Sequence, residues 1–114
     1  MWVFTETGFV SAVADGRDEA VLVVRARDRA SLEPLALREG CDIEFGAGTD
    51  YPYRLRCDRA TFGAWLVDCA TTIDYRNFKD RVHDTRGDQF ADALMGVWSA
   101  MVDVTDDEAR AQRW

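Results

Sequence analysis

Two stretches thirty residues apart, RDRASLEPLA at 27–36 and CDRATFGAWL at 57–66, match at Asp28 and Asp58, Arg29 and Arg59, Ala30 and Ala60, and Ser31 and Thr61. Each stretch opens like a helix. An Asp side chain accepts hydrogen bonds from the first free helix amides, and a small hydroxyl residue three positions on suits the first turn. Each also follows two β-favouring runs. Residues 1–14 carry Trp2, Val3, Phe4, Phe9, Val10 and Val13, with a kink or bulge expected at Gly8, and DGRD at 15–18 turns the chain into EAVLVVRAR. CDIEF at 41–45 and YRLRC at 53–57 alternate on either side of the turn GAGTDYP. The chain therefore reads as strand, strand, helix, twice. Duplication and convergent capping chemistry both account for the match.

That order, ββαββα, is a circular permutation of the ferredoxin-like βαββαβ order. The expected fold is α+β, with a four-stranded antiparallel sheet, helices on one face, and further helices at the C-terminus. In the first helix Leu32, Leu35 and Ala36 form a short apolar face that Gly40 terminates. In the second, Phe62, Trp65, Leu66, Cys69, Ala70 and Ile73 recur at three and four. Beyond residue 73, DYRNFKDRVHD reads as a turn or short helix, and GDQFADALMGVWSAMV as a stronger one with Phe90, Leu94, Val97, Trp98 and Met101 on one stripe. Trp65 and Trp98 are the expected aromatic core anchors. Thr105 and Glu108 have capping-box spacing for a last short helix running toward Trp114. The 114 residues fit one domain, made of a first unit at 1–40, a second at 41–73 and a helical segment at 74–114.

Composition excludes more than it assigns. An apolar content of 47% with no low-complexity tract is that of a folded globule. The formal charge of −7 disfavours an extended nucleic-acid footprint, though not a local basic patch. No basic leader or long apolar run opens the chain, which gives the expectation of a soluble, cytoplasmic protein with no membrane association. Cys41, Cys57 and Cys69 lack metal-ligand spacing and read as free, mostly buried thiols, so neither a metal nor another cofactor is expected. The single histidine, His83, falls at a helix end, and no nucleotide-loop, metalloprotease or nucleophile pattern occurs, so no catalytic residues are assigned.

The segments MWVFTETGFVSAV, VVRARDRASLE, TDYPYR, IDYRNFK and VWSAM together resemble a family of small uncharacterised proteins from actinobacteria, related bacteria and their phages. The resemblance covers nearly the whole chain. It implies a small cytoplasmic protein and carries over no functional residues.

Binding is the better functional class, in two forms. One is a protein-interaction module, such as a phage or bacterial accessory factor, whose partner is another protein or a second copy in a homodimer. Exposed Trp2, Tyr51, Tyr53 or Trp114 would mark such a surface. The other is a binder of a small anionic or nucleotide-like ligand. TDYPYR and DYRNFK both place a base shortly after Asp-Tyr, where a connection meets a regular element. Asp50, Tyr51, Tyr53, Arg54, Tyr75, Asn77 and Lys79 are the candidate ligand-binding residues, the tyrosines stacking on a ring and the bases meeting an anion. The same residues have a purely structural reading, with the aspartates making turns and the tyrosines covering the core edge.

Overall fold

In the computed structural model, which describes residues 1–112, the first fourteen residues form two strands, β1 (Trp2–Thr5) and β2 (Gly8–Ala14), not one kinked strand. The turn between them is local chemistry. The Thr5 hydroxyl accepts the Thr7 amide at 3.2 Å, and Gly8 takes a φ of 150° that an L side chain rarely adopts. β3 (Val21–Ala26), α1 (Arg29–Glu39), β4 (Glu44–Phe45), β5 (Tyr53–Asp58) and α2 (Arg59–Thr71) follow, completing a compact unit from Met1 to Tyr75.

All strands pair antiparallel in the order β1-β2-β3-β5-β4. With β1 set aside, the remaining order β2-β3-β5-β4 is the one the permuted ferredoxin-like arrangement requires. β1 is an added edge, so the sheet has five strands where the sequence suggests four. β4 is shorter than CDIEF implies, because only Glu44 and Phe45 find partners, Arg54 and Tyr53.

Register sorts the side chains. Ala12 of β2 faces Val24 of β3, which faces Leu55 of β5, and all three are buried. With Val10, Ala26 and Cys57 they form the inner face, covered by Leu32, Leu35 and Ala36 of α1 and Phe62 and Trp65 of α2. Each fully buried Val, Leu or Phe contributes about 1.5–3 kcal/mol relative to exposure. Ile73, assigned by spacing to the α2 stripe, lies beyond the helix end and is exposed. An Arg38–Asp68 ion pair joins the two helices. Cys57 is a free thiol in this core. Burial, with the Glu39 carboxylate beside it, pushes its pKa up to about 12.

The two matched helix starts differ. Asp28 caps α1, accepting the Ser31 amide at 3.1 Å. Asp58 holds the equivalent position but makes no side-chain cap bond. It is the last residue of β5, paired with Val21, and α2 is started instead by the Arg59 amide on the Ala20 carbonyl (2.9 Å) and Arg59 Nε on the Glu19 carbonyl (2.6 Å).

The second unit begins at Arg76 and contains α3 (Phe78–Arg86), α4 (Asp88–Val102) and α5 (Asp107–Gln112). Asn77 caps α3, its Oδ1 accepting the Asp80 amide at 3.0 Å. Gly87, at a φ of 84°, both ends α3 and begins α4. α3 packs on α4, with Val82 and Ala91 buried. The stripe on α4 is not a core: Phe90 and Leu94 are half-buried, while Val97, Trp98 and Met101 are exposed, Trp98 at 61%. Periodicity identifies residues that share a helix face and leaves open what that face meets. The α5 cap is likewise displaced by one residue, the Ala109 amide bonding Asp106 at 2.7 Å instead of Thr105.

Candidate functional site

The outer face of the sheet is built from the alternate residues of the same strands. Ser11 of β2 lies opposite Arg25 of β3, which lies opposite Arg54 of β5, which lies opposite Glu44 of β4. Two arginines directly opposed across neighbouring strands repel each other. The fold uses neighbouring groups to hold them. Arg25 Nη2 donates to the buried Ser11 hydroxyl at 3.0 Å, and its guanidinium lies 4.6 Å from the centre of the Tyr51 ring. Arg27, two residues along, sits 5.1 Å from the same ring. Arg54 Nη2 donates to the Tyr51 carbonyl at 3.4 Å. Three cations therefore converge on one tyrosine.

Arg54 has the Glu44 carboxylate across the β4–β5 pair, without a close ion pair. Among the described residues none of Arg25, Arg27 and Arg54 has a carboxylate partner, and Arg25 Nε is buried without a hydrogen-bond acceptor. Arg56, two residues after Arg54, does have a partner, Asp15. The Asp15 carboxyl is held below the usual range, chiefly by the Arg17 amide that donates to it at 3.0 Å, with Arg56 adding to the effect. Arg17, Arg54, Arg56, Asp15 and Glu44 line an open cleft of about 420 Å³.

Aromatic rings flank the cations. Phe9 lies 6.4 Å from Tyr51, Phe4 stacks on Phe9 at 4.5 Å and 11°, and Trp2 meets Phe9 edge-on at 5.8 Å. Trp2 is 69% exposed. Arginine over a ring face, beside further rings, is a surface suited to planar anions.

The sequence candidates fall in several places. Tyr51 and Arg54 meet on the outer face. Asp50 is exposed in the preceding turn. Tyr53 faces the opposite way, half-buried at the core edge against Phe45 (5.2 Å), because the Pro52 turn breaks the alternation between the two tyrosines. Tyr75 lines a separate groove of about 350 Å³ with Val3, Trp65 and Leu66. Asn77 and Lys79 belong to the second unit, where Asn77 is a helix cap. Trp114 lies outside the described residues.

Arg25, Arg27, Phe4 and Phe9 were not among the candidates, yet a signal for the arginines exists. RLR at 54–56 puts two charged residues two apart in a strand, so the pair shares one face, and RAR at 25–27 repeats the spacing where β3 ends.

His83 pairs with Asp88 at 2.8 Å in the second unit. Among the described residues no group of His, Cys, Asp and Glu is arranged to hold a metal ion, and no helix is long and apolar enough to cross a membrane. No protein-family model, no curated protein and no solved structure matches the chain.

Proposed function

We propose that the protein is a non-catalytic binding module whose outer sheet face takes a planar anionic ligand of nucleotide type. The observation that carries this reading is the convergence of Arg25, Arg27 and Arg54 on Tyr51 without a carboxylate partner among the described residues. A folded protein that opposes two arginines across a sheet and leaves one Nε buried without an acceptor accepts a local cost of about 1–3 kcal/mol. An incoming phosphate or carboxylate removes the repulsion by bridging the guanidinium groups, and a ring joins the aromatic row. A thermal-shift panel of mono-, di- and cyclic nucleotides tests it. A ligand at a hundred times its dissociation constant stabilises the fold by about 2.7 kcal/mol, several degrees for a domain of this size. Arg54→Ala and Arg25→Ala abolish the gain. No shift across the panel, or a shift that both variants retain, removes the site.

A second reading, interaction with another protein or a second copy, is supported by the exposed α4 stripe of Val97, Trp98 and Met101. Light scattering across a concentration series tests it: a dimer that Trp98→Glu dissociates supports self-association, and a monomer at every concentration excludes it.

A further inference from the structure

Resting on the nucleotide-type reading of the outer face, we infer that the ligand is a short single strand of nucleic acid and not a free nucleotide. A single nucleotide offers one base, whereas this face carries several rings: exposed Trp2 edge-on to Phe9 at 5.8 Å, Phe9 with one face covered by Phe4, and Tyr51 tilted against Phe9 at 6.4 Å. The cations repeat as well. Arg25 lies in β3 and Arg27 just beyond its end, their guanidinium groups 4.6 and 5.1 Å from the centre of the Tyr51 ring, and Arg54 stands beside Arg25 on β5, about 5 Å across. Repeated cations beside repeated rings match a polymer that alternates charge and base. Small-molecule sites enclose most of their ligand. This face is open, as sites that track a single strand are, with bases stacked on aromatic side chains and a basic groove following the backbone.

Duplex is disfavoured on the same grounds, since its bases are already stacked on one another and cannot lie on Trp2, Phe9 or Tyr51. The net charge of −7 is compatible with this partner because the footprint is local: three arginines without a close ion pair among the described residues gather around Tyr51.

The test is fluorescence anisotropy with labelled eight-nucleotide single strands of mixed sequence, one DNA and one RNA, with their duplexes, AMP and inorganic polyphosphate as competitors. Either single strand binding supports the inference, and the tighter of the two identifies the natural chemistry. Three neutralised phosphates give a slope of log affinity against log salt of about −2. Arg25→Ala and Arg54→Ala each make the slope shallower by about 0.7, and Arg25→Lys restores it. Tyr51→Ala and Phe9→Ala each weaken binding by about tenfold with the slope unchanged, and Tyr51→Phe recovers the loss. Circular dichroism melting confirms that each variant is folded. If AMP competes as well as the single strand, the inference fails and the nucleotide site stands. If polyphosphate or duplex competes equally well, the face reads charge alone and the inference fails. If neither single strand binds, the inference fails, and the nucleotide reading stands or falls on the thermal-shift panel.

Discussion

Val24 and Arg25 are neighbours in β3, and they divide the molecule's work between them. Val24 is fully buried between Ala12 and Leu55 on the inner face of the sheet. Arg25, one residue on, lies between Ser11 and Arg54 on the outer face, with a second positive charge opposite and an unsatisfied Nε beneath it. The inner face obeys every rule of packing, being apolar, interdigitated and covered by two helices. The outer face breaks one by opposing like charges across a strand pair. Where local rules fail in a sequence that otherwise follows them, function is the first explanation to test.

Leu55→Ala, which opens a cavity at the centre of the inner face, costs about 2–5 kcal/mol in urea unfolding, and Trp65→Ala about 3–5 kcal/mol. Arg25→Ala costs no more than about 1.5 kcal/mol, because relief of the repulsion with Arg54 offsets the lost bond to the buried Ser11 hydroxyl. A loss as large as that of Leu55→Ala would make Arg25 a structural residue and end the division of labour.

A finer contrast lies in the two helix starts. Asp28→Ala costs about 0.5–2 kcal/mol, since it orphans the Ser31 amide. Asp58→Ala, at the matching position without a cap bond, changes stability by no more than about 0.5 kcal/mol. Equal losses would show that both aspartates cap in solution.

A further contrast concerns the buried thiol. Cys57 is the slowest of the three cysteines to label with a thiol reagent at pH 8, because its pKa near 12 keeps it protonated. A raised pKa favours the folded chain while the unfolded thiol is still protonated. Its stabilising contribution is whole below the ordinary thiol range and is lost as pH rises from there toward about 12. Cys57→Ser flattens that alkaline limb, measured by urea unfolding at stepped pH. An unchanged limb assigns it to other groups.

Much of the fold was legible because its signals are local. Asp28 with Ser31 marks the start of α1, Gly40 at a φ of 69° marks its end, and the alternation in β3 and β5 sets the register. The turn at Glu6 and Thr7 was not legible, since four residues on its N-terminal side form a strand too short to show alternation of its own. The exposure of Trp98 was not legible either, because the spacing on α4 is the same whether the stripe is covered or bare. Half of the site was hidden for a related reason. Asp-Tyr followed by a base drew attention to Tyr51 and Arg54, but their company with Arg25 and Phe9 depends on strand order, which no short motif encodes.

The most direct test of the outer face as the binding surface is a nitrogen–proton chemical-shift titration of the labelled protein with the eight-nucleotide single strand or, if that does not bind, with AMP. The perturbed amides cluster at Phe9, Ser11, Arg25, Arg27, Tyr51 and Arg54, with Ala12, Val24 and Leu55 moving less. Perturbations confined to the α4 stripe around Trp98, or scattered over the acidic surface, would contradict that placement.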